Sequence, residues 1–164
     1  MSQSSIWREE IWHPLSVHFP IALLLFATMI SAVSLFVKKE TRNTWQFAGS
    51  LLLFTGSLAA WLAIYTGGIA DGAVARTICD PTILKDHENA SYTMAYLFSA
   101  AAFINLILIF MKLQETFATF LKYGMVLVML TGSGYLVYTS HVGATLVYQQ
   151  GAGVHKPSAD CKGF

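Results

Sequence analysis

Four long apolar segments, separated by shorter polar stretches, set the pattern of hydrophobic and polar positions along the chain. Each segment is long enough to cross a bilayer as an α-helix, which takes about 20 residues. The segments cover residues 14–37, 45–65, 90–111 and 123–148. The pattern therefore predicts an all-α fold: an integral membrane four-helix bundle that forms a single transmembrane domain of residues 1–164.

The composition also indicates a membrane protein. Hydrophobic residues make up 55% of the chain and charged residues only 12%, which is too few charges for an ordinary soluble domain. The first apolar segment ends in Lys38-Lys39-Glu40 and has no small-residue cleavage site, so we expect it to remain as a helix. The apolar segments predict contact with membrane lipid. A net charge of +1 without a basic block gives no support to electrostatic binding of nucleic acid or of an anionic membrane surface.

The short polar turns after the first and third segments carry basic residues directly at the helix ends. These residues are Lys38, Lys39, Arg42, Lys112 and Lys122. The other side has as many basic residues, but they are spread over longer stretches. Positive charge at helix ends favours the cytoplasm. We therefore predict a multi-pass protein of the bacterial inner membrane, with both termini, the loop 67–89 and the tail 149–164 on the periplasmic side.

All five histidines fall on this predicted outer side. They are His13, His18, His87, His141 and His155. A single interfacial histidine commonly does no more than place its polar tip among the lipid headgroups. Five on one side indicate a site, because ionisable groups at the edge of the hydrocarbon usually face a cavity or the bundle interior. Imidazole binds iron, copper and zinc, and it is an axial ligand of haem iron.

Two kinds of metal site fit these histidines. The chain has neither the CxxCH motif of covalently attached haem nor the HExxH motif of zinc proteases. Imidazoles from different helices favour a b-type haem, with small residues such as Gly56, Gly132 and Gly143 making room for a flat macrocycle. Close helix packing explains the same small residues equally well. The alternative is a non-haem copper or iron site of histidine with Asp86 or Glu88.

The first two histidines cannot serve one metal from one regular helix. His13 and His18 are five residues apart, which separates them by about 140° around a helix. Pro20 removes a backbone donor and disfavours helix at Phe19. We therefore expect regular helix to begin near Phe19 or Pro20, with His13 on an incoming loop that is free to turn inward.

Two stretches, HPLSVHFPIALLL from His13 and GATLVYQQGAGV from Gly143, resemble a four-helix bacterial membrane family known as domain of unknown function 2231. Its members open on HPLxVHFPIAL and end on GGxLVYxxGVGV. The resemblance implies a four-helix integral protein that binds haem and transfers electrons beside cytochrome-containing respiratory modules. The matching positions are His13, Pro14, His18, Pro20, Gly143, Val147 and Tyr148. Gln150 stands where the family ending usually has a histidine, which leaves His141 and His155 as substitutes.

These observations together predict a membrane b-type cytochrome subunit that passes electrons between the quinone pool and an outer-side redox partner, such as a c-type cytochrome. His18 is the expected axial ligand of haem b, and His87 and His141 are the candidates for its partner. With His13 there are four imidazoles, enough for one or two haems, and His155 is a further candidate. Aromatic residues at the outer end would wall a haem or a quinone, or form an interfacial belt.

Two alternatives stay open beside the cytochrome. One is a structural anchor subunit of a respiratory complex, and the other is the non-haem metal site. The chain shows no nucleophile triad, phosphate loop or nucleotide fingerprint, so we expect a subunit of an oxidoreductase complex and no independent catalysis.

The predicted sidedness can be measured with reporter fusions. A reporter that works only in the periplasm should be active when it is fused after Phe164, because both termini are expected outside. A reporter that works only in the cytoplasm should be inactive at the same point. The opposite pair of results would move every histidine to the cytoplasmic side.

A disulfide is predicted between Cys79 and Cys161, the only two cysteines of the chain. Both fall on the predicted outer side, where an oxidising compartment allows them to pair. Such a crosslink contributes about 2–4 kcal/mol in the usual case. The native protein should shift in gel mobility on reduction, and Cys79→Ser should abolish the shift. Two free thiols in protein isolated from its native compartment would contradict the pairing.

Overall fold

The computed structural model describes residues 9–154, and over that range the chain is a bundle of helices without a strand. The helices are α1 (Glu9–Ser16), α2 (His18–Ser34), α3 (Lys39–Val74), α4 (Pro81–Phe110) and α5 (Glu115–Tyr148). Taken together, α1 and α2 form one apolar stretch, and α3, α4 and α5 form three more, each long enough to cross a membrane. The predicted all-α, four-helix membrane fold is confirmed.

The first crossing is helical from Glu9, so the expected loop around His13 is wrong. Val17, between α1 and α2, has φ −65° and ψ −23°, which are helical values. Its N–H donates to the carbonyl of His13 at 3.1 Å, as in a continuous helix. Pro20 lacks the N–H that would bond to Ser16, but its fixed φ suits a helix. The proline therefore removes one hydrogen bond without ending the helix, and His13 is held on a rigid element.

The connection between the second and third crossings is much shorter than predicted. α3 continues to Val74 and α4 begins at Pro81, so the expected loop 67–89 is reduced to residues 75–80. α3 continues to Val74 through three glycines, which are poor helix formers, because this part of the helix packs against α1. Hydropathy marks the part of a helix that lies in lipid, and the helix itself ends further out.

Asp80 is the N-cap of α4. Its carboxylate accepts hydrogen bonds from the backbone N–H of Thr82 at 2.9 Å and from the Thr82 hydroxyl at 2.6 Å. These two bonds hold the pKa of Asp80 below its usual range. Pro81 follows at the first helical position, where the missing N–H costs nothing.

Small residues and a few large ones, such as Phe98 and Leu24, fill the interior of the bundle, and many large apolar side chains face outward. α2 packs along α3, and α4 packs along α5. Gly49, Gly56 and Ala60 are buried on α3, whereas Phe26 is 56% and Leu58 74% exposed. Helices in lipid have this arrangement, because small residues let backbones approach while large side chains meet hydrocarbon.

The contact between Gly132 of α5 and Phe98 of α4 gives a stability prediction. A Cβ added at Gly132 would lie 3.0 to 3.3 Å from three ring carbons of Phe98, which is fully buried. We expect Gly132→Ala to lower the free energy of unfolding by about 1–3 kcal/mol, as overpacking usually does. The measurement is the thermal unfolding midpoint in detergent.

Gly134→Ala is the matched control, since it lies on the same helix and a Cβ there would meet nothing within 4 Å. Equal unfolding midpoints for the two variants would contradict the described packing of α5 on α4.

Candidate functional site

Two histidines from different crossings meet at one end of the bundle. His13 lies on α1 and His87 on α4, and both are partly buried. Their ring centroids are 5.9 Å apart, and the ring planes are inclined at 82°. The structure therefore brings together two of the candidate ligands, from the first and third crossings.

Each imidazole is held by a backbone carbonyl of a neighbouring helix. His13 Nδ1 lies 2.9 Å from the carbonyl oxygen of Ala63 on α3, and His87 Nδ1 lies 3.0 Å from that of Thr139 on α5. A carbonyl oxygen can only accept, so Nδ1 carries the proton and donates in both rings. In the neutral imidazole this leaves Nε2 as the unprotonated nitrogen, which is the form that binds a metal.

Each histidine ring packs against a glycine of the neighbouring helix. Gly67 follows Ala63 by one helical turn, and a Cβ there would lie 3.1 Å from both Cε1 and Nδ1 of His13. Gly143 follows Thr139 by the same turn, and a Cβ there would lie 3.0 Å from Cε1 and 3.3 Å from Nδ1 of His87. Any larger residue would press on the ring, so the carbonyl is within reach only because these positions are glycine.

A small polar network adds to the support of the first ring. The hydroxyl of Ser16 on α1 donates to the carbonyl of His13 at 3.0 Å. The hydroxyl of Thr66, buried on α3, lies 2.9 Å from the Ser16 oxygen and 2.9 Å from the carbonyl of Ala63. Because the Ser16 proton is already used, Thr66 is the donor when these two hydroxyls bond. These bonds fix α1 on α3 beside the histidine.

Both histidines line a cavity of about 600 Å³ between the helices. Its walls are mostly apolar and come from all five helices, and Ser140 and Tyr92 are among the lining residues. Three carboxylate residues, Glu10, Asp71 and Glu88, also line it. The cavity is large enough for a substantial organic group.

The chain after α5 folds back over this cavity. Gly151 and Gly153 have φ of 69° and 67°, which favour glycine, and Ala152 and Gly153 line the cavity. The side-chain oxygen of Gln150 accepts a hydrogen bond from the backbone N–H of Asp80 at 3.1 Å. Gln150 therefore joins this turn to the loop before α4. The opening and closing motifs of the sequence converge on one cavity.

The other candidate histidines lie elsewhere. His18 and His141 are exposed, and neither lines the cavity. The predicted separation of His13 and His18 around one helix accounts for this, since α1 turns His13 inward and the start of α2 turns His18 outward. His155 and Cys161 are outside the described residues, and Cys79 is exposed, so the predicted disulfide stays a prediction.

Residues 9–154 contain no cluster of metal-binding side chains of the kind that the alternative non-haem site requires. Over that range no three histidine, cysteine, aspartate or glutamate residues come close enough together to bind one ion. Asp86 and Glu88 thus do not complete a His and carboxylate site with the two imidazoles.

Sequence reasoning placed His13 and His87 among the ligands but did not pair them. The signal for the pairing is a repeated pattern, LxxxTGS, which occurs at residues 51–57 and again at 127–133, 76 positions later. His13 and His87 are separated by nearly the same distance, 74 positions.

Comparison with known proteins gives one match. The family model described as "Predicted membrane protein (DUF2231)" matches residues 11–156. This range includes both histidines and the closing turn. No curated protein and no solved structure matches the chain.

Proposed function

Since the chain belongs to the DUF2231 family of membrane proteins, we propose that it is a membrane b-type cytochrome subunit whose haem is held between His13 and His87. The observation that carries the proposal is the pair of hydrogen bonds from Nδ1 of each ring to a helix carbonyl. Histidines that bind metals almost always donate their second ring N–H to such a partner, which fixes the tautomer and orients the ring.

The separation of the rings suits one group that both histidines contact. Their ring centroids are 5.9 Å apart. Each ring would bind through Nε2, because its Nδ1 donates to a helix carbonyl. His13 and His87 would be the two protein ligands of a haem.

The cavity supports a haem and not a bare ion. Its mostly apolar walls suit a macrocycle. His13 and His87 would hold the haem, which would supply one-electron redox chemistry. The chain's own residues would hold and orient the group and keep water away from it.

This function makes the protein an electron carrier. We place it between the quinone pool and an outer-side redox partner, such as a c-type cytochrome, in the bacterial inner membrane. His13 takes the ligand role that the sequence suggested for His18, because His13 faces the cavity and His18 does not.

Substitution of the two histidines tests the assignment. The wild-type protein, expressed with a haem supply, should give the sharp reduced α-band of low-spin haem b. His13→Ala and His87→Ala should each lose this low-spin spectrum or lose the haem, because both axial positions are needed. Added imidazole should restore the low-spin spectrum of a variant that keeps its haem.

His18→Ala and His141→Ala are the controls, since both side chains are exposed away from the cavity. They should keep the wild-type spectrum and haem content. A wild-type protein without haem would favour the structural anchor. Loss of haem in the two controls, with retention in His13→Ala and His87→Ala, would reject this ligand pair.

A further inference from the structure

The contacts of the two histidines repeat each other position by position. His13 corresponds to His87 at a separation of 74 residues, and Gly67 corresponds to Gly143 at a separation of 76. Their carbonyl partners, Ala63 and Thr139, are also 76 residues apart. One arrangement of histidine, carbonyl and glycine is thus built twice, once by α1 with α3 and once by α4 with α5.

The same two separations relate contacts far from the site. A Cβ at Gly56 would lie 2.7 Å from Cδ2 of Leu24, and a Cβ at Gly132 would lie 3.0 Å from the ring of Phe98. Leu24 and Phe98 are 74 residues apart, and Gly56 and Gly132 are 76 apart. The correspondence therefore extends along the helices and is not confined to the histidines.

Burial follows the correspondence on α3 and α5. Seven of the eight buried residues of α5 correspond to buried residues of α3. The pairs are Gly49 with Met125, Leu53 with Met129, Gly56 with Gly132, Ala60 with Leu136, Ala63 with Thr139, Thr66 with Val142, and Ala70 with Leu146. Helices that bury the same positions pack in the same way.

The sequence itself retains part of the repeat. Thr55-Gly56-Ser57 recurs as Thr131-Gly132-Ser133. Both threonines donate to the carbonyl four residues earlier, at 2.7 Å and 3.0 Å. Sequence, burial and hydrogen bonds agree on one alignment of the two halves.

We infer that the chain consists of two copies of one two-crossing unit, residues 9–74 and 83–150, the second two residues longer, and that its binding site lies on the approximate twofold axis between them. Each copy crosses the membrane twice, so both run in the same sense and the axis lies along the membrane normal. His13 contacts its own counterpart, His87. In a twofold arrangement, a contact between equivalent residues occurs at the axis.

The position of the site on the axis limits what it binds. Two equivalent imidazoles take one ligand with two equivalent binding positions, and a single haem iron with its two axial positions meets this requirement. That the ligand is haem rests on the proposed function, whereas the twofold repeat is independent of it. The repeat also assigns Gly67 and Gly143 as a matched pair of positioning residues, one for each ring.

The test compares Gly67→Ala and Gly143→Ala. Each substitution should displace one ring from its carbonyl and weaken haem binding about 10- to 100-fold, the usual loss when the support of a metal ligand is removed. The two losses should be equal, and the wild-type protein should bind one haem per chain. Gly72→Ala and Gly134→Ala are the controls on the same two helices, because a Cβ at either position would meet nothing within 4 Å.

A second measurement does not need haem. In haem-free protein with ¹⁵N-labelled histidine, NMR should show His13 and His87 as the Nδ1–H tautomer with matching signals. Gly67→Ala should move only the His13 signals, and Gly143→Ala only those of His87. Gly132→Ala should lower stability and leave both sets in place, which separates a positioning effect from simple destabilisation.

The outcomes distinguish the two proposals. If the wild-type protein binds no haem but the NMR pattern holds, the proposed function fails and the twofold site stands. Two haems per chain, a haem affected by only one of the two glycines, or unlike tautomers of His13 and His87 would overturn the twofold site. If neither glycine variant folds, the wild-type tautomers and the haem stoichiometry still decide.

Discussion

The hydrogen bond between a histidine ring and a helix carbonyl is the interaction on which the site depends. It occurs twice, at 2.9 Å and 3.0 Å, and it decides which nitrogen of each ring is free. A helix carbonyl already accepts the backbone N–H of the residue four positions on. The carbonyl oxygen has a second lone pair. The histidine ring reaches this lone pair only by lying over the residue four positions on. This requirement explains why Gly67 and Gly143 stand one turn after Ala63 and Thr139.

The membrane makes this interaction more demanding than it would be in water. An imidazole buried among apolar helices needs a partner for its N–H, since an unsatisfied polar group in hydrocarbon costs several kcal/mol. Small residues let the helices pack closely enough for a backbone carbonyl to be that partner. The same close packing leaves an apolar cavity between the two halves, lined by both rings. Helix packing, ring tautomer and cavity are thus parts of one arrangement.

The fold was largely predictable because hydropathy and length determine crossings directly. All four apolar segments are helical in the structure, and each is long enough to cross a membrane. The site was less predictable, because which histidine faces inward depends on the rotation of each helix. A loop before Pro20 would have left the orientation of His13 undetermined. The helix instead continues through Val17, and this orients His13 toward the cavity. In lipid both faces of a helix are apolar, so periodicity alone does not reveal its inner face. Small residues such as Gly56 and Gly132, which belong to the repeated TGS pattern, carry that information instead.

A crystal structure of the purified protein, with iron located by its anomalous X-ray scattering, would show directly which histidines bind the metal. One iron should lie between His13 and His87, bound by Nε2 of each ring, with both Nδ1 atoms still donating to the carbonyls of Ala63 and Thr139. Iron bound instead by His18 or His141, or a His13 and His87 pair with no metal between them in a protein that contains haem, would contradict it.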